Sequence, residues 1–222
     1  MNNFFLLPDL ESVVDLQSYL SRAKRLDPDG MVRFRAFGKV LAAYVAPIFA
    51  GSLMDSGPTV LGLRTLELQQ EAELDAVVQL SAALDRLAKM TADAQSGASE
   101  FKFDMPITQR AAWAGISPPR TAWQEMGSIN EVRLTQIARD GIAEVAAAIP
   151  ESVGGPIAAR IRGEIWGRGI DLESKVPTGA AFAAAGLGFL TENEEVGLYH
   201  TDGWVRLSAM HGHVLARAAV KF

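Results

Sequence analysis

The sequence predicts an α+β protein: an antiparallel sheet flanked by helices, with a helical central section and a C-terminal β-hairpin. Three observations predict it. Apolar runs bounded by glycine and proline recur between residues 31 and 66. Several other stretches repeat apolar residues every three or four positions. Near the end, Asp202-Gly203 stands between two runs of alternating polarity, the strongest short-range sign of a hairpin.

The first element is a helix over residues 10–26, where Val13, Leu16, Leu20, Ala23 and Leu26 share one face. Asp9 can cap its start, and Asp27-Pro28-Asp29-Gly30 closes it with turn residues. Strands follow in MVRFRAFG, which alternates, in KVLAAYVAPIFAG, apolar until Pro47, and in TVLGLRTLEL. Gly38-Lys39 is read as a hairpin between the first two, and AGSLMDSGP as a longer loop. The segment 72–95 reads as a helix with Val77, Leu80, Leu84, Leu87 and Met90 on one stripe.

Thr91–Glu100 is small, polar and glycine-containing, the best boundary in the chain. It divides an N-terminal lobe, residues 1–95, from residues 96–222, the helical section with its terminal hairpin, as two lobes or as two halves packed into one domain. After a short strand in EFKFDM, a helix opens at SINEVRL, where Ser128 and Glu131 have capping-box spacing, and Pro150 stops it. Another helix has Pro156 in its first turn and Gly169 past its end. PTGAAFAAAGLGFL makes a last helix whose alanines and glycines allow close packing.

Composition bounds the chemistry. The 222 residues are 49% hydrophobic and 21% charged, an ordinary globular balance. Net charge is −5, which repels nucleic acid and anionic membranes. With no cysteine there is no disulfide, thiolate metal site or cysteine nucleophile, and the composition fits a reducing cytosol. MNNFFLLPDLESVV has no positive leader and is not read as a signal peptide. The longest uncharged runs, Val40–Met54 and Val176–Thr191, fall short of the roughly 18–20 residues a membrane helix needs. A cytoplasmic protein is expected.

RAAWAGISPPRTAWQEM, Arg110–Met126, admits two readings. Ala111 followed by Gly115-Ile116-Ser117 fits the turn of a DNA-reading helix-turn-helix. Against it, Arg110 and Gln124 stand where apolar residues are wanted, and Pro118-Pro119 would open the recognition helix. Residues 102–140 carry five basic and four acidic side chains, thin for gripping phosphates. Trp113 and Trp123 then read as anchors of a core around a proline elbow.

His200, His211 and His213 lie close in the hairpin region, and His211 with His213 is a candidate metal pair. The competing reading is polar side chains on a sheet edge, with Gly212 marking a bulge. Arg22–Arg35 holds five basic residues against two acidic, fit for an acidic partner or for a solvated helix end. No phosphate-cradling glycine loop, nucleophile elbow or zinc-protease helix is present.

YLSRAKRLDPDGMVRF, TVLGLRTLEL, WAGISPPRTAWQEMGSI and VPTGAAFAAAGLGFL together resemble a family of conserved actinobacterial proteins over most of the chain. The resemblance implies a cytoplasmic bacterial protein. It supplies no catalytic residues.

Three function classes follow. The first is a non-catalytic binding or scaffold protein with an apolar groove, whose ligand or partner surface is Trp113, Arg120, Trp123 and Met126. It needs no cofactor and predicts a protein partner or homo-oligomer, no membrane and no nucleic acid. The second is a helix-turn-helix DNA-binding regulator. The third is an enzyme with a metal-assisted site at His211 and His213. The first is favoured, because the tests for the other two fail.

Overall fold

The computed structural model describes residues 3–50, 57–115, 117–149, 154–171 and 175–218. Ile116, Pro150 and most of the loop expected around residues 50–58 lie outside them. The chain forms two compact units, Met1–Val45 with Leu63–Gly115, and Ala46–Gly62 with Ile116–Phe222. The described residues are mixed α+β, with a six-stranded antiparallel sheet, a two-stranded sheet and five α-helices.

In the first unit, β1 (Phe4–Leu7) pairs antiparallel with β4 (Phe101–Asp104). Phe5 stacks on Phe103 at 4.7 Å between ring centres, and Phe34 meets both edge-on at 5.5 and 5.4 Å. Edge-to-face and offset stacking are the favoured aromatic geometries, and all three rings are fully buried. Helix α1 (Leu10–Leu26) is capped by Asp9, whose carboxylate accepts the Ser12 amide at 2.8 Å. It lies beside α2 (Leu80–Gln95).

Two long strands depart from the sequence expectations. β2 runs unbroken from Met31 to Ile48, so Gly38-Lys39 is no hairpin. Instead the buried positions change from 32, 34 and 36 to 41, 43 and 45, and Gly38 takes φ +57°. A one-residue slip with a left-handed glycine is how a strand absorbs an extra residue without turning back. β3 runs from Thr59 to Gln79, so the helix expected over 72–95 begins only at Leu80. Residues 71–76 alternate exposed and buried, and that period of two outweighs the helix propensity of their glutamates and alanines.

Two arginines of the basic segment are used internally. Arg33 forks onto Asp75 at 2.7 and 2.8 Å and donates to the Ala114 carbonyl, while Arg35 reaches the same carboxylate at 3.2 Å. Arg64 likewise forks onto Asp15.

The helix-turn-helix is not formed. Ala112–Gly115 is one 3-10 turn, the described residues 117–123 hold no helix, and Gln124–Asn130 is strand β5. Two consecutive prolines remove two amide donors, and Ala122 sits at φ +64°, outside the helical region.

The second unit holds β5, β6 (Glu195–Thr201), β7 (Trp204–Ala209), β8 (Gly212–Arg217) and the short pieces of β2 and β3 that fall within residues 46–62; the strand order is β2-β3-β8-β7-β6-β5. The expected turn at Asp202-Gly203 joins β6 to β7, but a third strand makes the end a meander rather than a lone hairpin. α3 (Glu131–Ala148) is capped by Asn130 rather than Ser128, which belongs to β5. α4 (Gly155–Trp166) and α5 (Thr178–Gly186) pack with α3 around Trp166, which stacks on Phe182 at 4.6 Å. Gly141 lacks the Cβ that would collide with the Trp166 ring, and Gly179 the one that would collide with Ile48. Gly212 is not a bulge: it pairs regularly with Ala209 and leaves room for the Phe189 ring. No described helix is long and apolar enough to cross a membrane.

Candidate functional site

The outermost strand of the second unit, β5, is paired only to β6 within the sheet order. Its register slips between Glu125 and Gly127, leaving Met126 in a bulge beside Gly127 at φ +109°. Residues 124–128 are all exposed. The strand therefore offers a free backbone edge.

Strand register sorts the side chains. Val196, Leu198, Val205, Leu207 and Val214 face the helices and are buried. The other face carries the cross-strand row Glu125, Tyr199 and Arg206, with Ser208 and His213 one row on. Here the Arg206 guanidinium lies 4.4 Å from the Tyr199 ring centre and 4.7 Å from that of Trp123, within cation–π range. The Trp123 indole is pinned by its own donation to the Pro119 carbonyl at 3.1 Å. Burial holds the Arg206 pKa below the ordinary guanidinium value, against a smaller opposing pull from Tyr199.

Where β6 turns into β7, the sheet's end opens into a cavity of about 660 Å³, the size of a ligand site. Its walls are Gln124 and Met126 of β5, Ala122 before it, His200 to Val205 around the turn, Ala216 and Ala218 after β8, and Lys175. Met126 is 44% exposed and Trp204 is buried, so the wall has both a flexible and a fixed apolar member. The Nδ1 atom of His200 is buried without a hydrogen-bond partner among the described residues.

The expected surface residues are distributed between the units. Trp113 is buried in the first. Arg120, Trp123 and Met126 belong to the second, with Arg120 exposed in the loop, Trp123 half-buried against Arg206 and Met126 at the cavity. His211 is exposed in the turn between β7 and β8, while His213 lies on β8 with Nδ1 3.1 Å from the Ser208 hydroxyl. Register puts His213 and His200 on opposite faces. Among the described residues no three histidine or carboxylate side chains gather to hold a metal ion.

Sequence reasoning missed Tyr199 and Arg206 as site residues, and weighed His200 only beside the His211–His213 pair. A signal existed: a two-residue turn at Asp202-Gly203 pairs Thr201 with Trp204 and therefore Tyr199 with Arg206. Nothing in the sequence brings Trp123 to them, since its place depends on an irregular loop.

No curated protein matches the sequence. Among solved structures, the fold is similar to DNA polymerase III subunit beta from Borrelia burgdorferi, solved in complex with a natural product. That match has a TM-score of 0.55 and 8% identity, over 100% of this chain and 65% of that one. It is also similar to pol III beta of Caulobacter crescentus, with TM-score 0.51 and 11% identity, over 99% of this chain and 66% of that one. The chain thus spans just under two thirds of the length of either protein, and the likeness is one of fold. Residues 118–221 match a domain of unknown function, DUF8185. Residues 1–113, just over half of the 222, match another domain of unknown function, and the chain belongs to that family, DUF8010.

Proposed function

We propose that this chain is a non-catalytic binding protein that takes an extended segment of a partner polypeptide along the free edge of β5. An apolar side chain of that segment enters the adjoining cavity. The observation that carries this reading is the continuity of edge and cavity: Gln124 and Met126 belong to both. An edge strand offers unpaired N–H and C=O groups to an added strand, and pockets for alternate side chains give selectivity. Met126 suits such a wall because its unbranched thioether adapts to the shape inserted. The bulge at Met126 limits indiscriminate pairing along the same edge.

The fold likeness is a second, weaker support. The Borrelia burgdorferi protein is by name a subunit of a polymerase, a component of a larger assembly. The reading here is correspondingly of a component that binds rather than converts. A chain without cysteine suits a reducing compartment, and we place it in the cytoplasm of a bacterium, an actinobacterium on the sequence resemblance.

A displayed library of random peptides, selected against the purified chain, tests this. Enriched peptides should carry one apolar anchor residue and bind Met126→Glu at least about thirtyfold more weakly, the loss of a hot-spot contact. Failure to enrich any peptide, or enrichment indifferent to Met126→Glu, refutes the reading. Sedimentation run alongside identifies the other occupant: a concentration-dependent dimer abolished by Met126→Glu assigns the edge to a second copy of this chain.

A further inference from the structure

The face of the second unit's sheet that carries Tyr199 holds a second feature, which goes beyond the edge-binding reading. The row of Gln124 and His200, which lines the cavity, faces the other way. Arg206 is clamped between the rings of Trp123 and Tyr199, and no carboxylate among the described residues pairs with it. Its Nε is buried without an acceptor. The guanidinium is half-buried, and covering part of a cation without a counter-charge has a cost that two aromatic faces offset only in part. What the clamp does achieve is immobilisation. The guanidinium's remaining donors are held in a fixed plane before any ligand arrives, the preorganisation that lets an arginine bind tightly.

We propose that Arg206 anchors a binding site for a single carboxylate, received by the terminal Nη donors of the clamped guanidinium. A planar fork of N–H groups matches the two oxygens of a carboxylate. The Ser208 hydroxyl, two residues along the same strand face and within 3.1 Å of His213 Nδ1, is placed as a further polar group for the ligand. Charge argues for one carboxylate over a polyanion. Glu125 lies in the same cross-strand row beyond Tyr199, and Glu195 lies on the same face, held by Ser128 and Asn130. Together with the net charge of −5, these repel multiply charged ligands such as phosphate more strongly than a monoanion.

The test is NMR on the full ¹⁵N-labelled chain, following the Arg206 Nε–H resonance, identified by its loss in Arg206→Lys. Sodium acetate, a capped hexapeptide with one glutamate, and inorganic phosphate are titrated separately, with ionic strength held constant by chloride. The proposal expects saturable shifts with acetate or the peptide, and at least tenfold weaker binding in Arg206→Lys, read from neighbouring amides. Trp123→Leu, which frees the guanidinium, should weaken binding severalfold while the amide spectrum stays dispersed. Equal affinities for acetate and the peptide identify a free acid as ligand, and a tenfold preference for the peptide identifies a polypeptide. A shift in the wild-type chain that does not saturate, or phosphate binding tighter than acetate, overturns the proposal without reference to any variant.

Discussion

At the scale of single residues, Tyr19 shows how a polar atom is tolerated in a core. It is almost wholly buried on α1, and its hydroxyl donates to the Ala43 carbonyl at 3.3 Å. Burial raises the phenol well above its usual 10.0, opposed by the nearby Arg64 charge. Because folding raises this pKa, the folded chain keeps a proton that the unfolded chain releases. The stabilisation is intact below pH 10 and is lost as pH climbs past it toward the folded value. Denaturant midpoints at pH 8 and pH 10.5 should therefore differ more for the wild type than for Tyr19→Phe. At pH 8 the variant should be less stable by about 1 kcal/mol, the ordinary net worth of one hydrogen bond. Val13, Leu16, Leu20 and Ala23, the neighbours of Tyr19 on α1, were legible in the sequence because one helix period places them on one face, whereas Tyr19 joins that buried face only in the structure. The Trp123–Arg206 contact was not legible, because Trp123 reaches the sheet from a loop whose path is set by Pro118, Pro119 and the left-handed Ala122.

At the scale of elements, the sequence was read well where one periodicity was unopposed and misread where two competed. Residues 10–26 and 178–186 carry only a helix signal and are helices. Residues 71–79 combine helix-forming side chains with strict alternation, and the buried face won. The start of α3 departs from the expectation for another reason. Ser128 and Glu131 have capping-box spacing, yet β5 keeps Ser128 in the sheet, and the strand ends two residues later at Asn130. Asn130 accepts the Val132 amide at 3.0 Å and donates to Glu195 at 3.0 Å. Asn130→Ala should cost about 1 kcal/mol, the usual value of an N-cap, and Ser128→Ala should cost less; chemical denaturation at neutral pH measures both. Hydrogen bonds from Asn130, then Ser128, hold the Glu195 carboxyl below its ordinary 4.5. That contribution is present above pH 4.5 and fades as pH falls through the folded value, so the Asn130→Ala deficit should narrow in acid.

At the scale of the whole molecule, the ends of the family matches, at residue 113 and residue 118, differ in kind from the physical division of the chain. Residues 46–62 belong to the compact unit that otherwise begins at 116. They include Val60 and Leu61, both almost fully buried, and the first residues of β3, the neighbour of β8 in the strand order. A fragment of residues 116–222 should accordingly lack a strand and expose the side of β8, giving poorer amide dispersion and more aggregation than the intact chain. Adding a separate peptide of residues 40–68 should recover dispersion in part. A well-folded 116–222 fragment would show that β8 does not need β3.

The two long strands thus have a consequence for how such a chain can be inherited. Genetic exchange at the seam near residue 115 would hand the receiving protein a C-terminal module already missing one of its pieces. The two halves can be copied, fused or duplicated safely only as a pair.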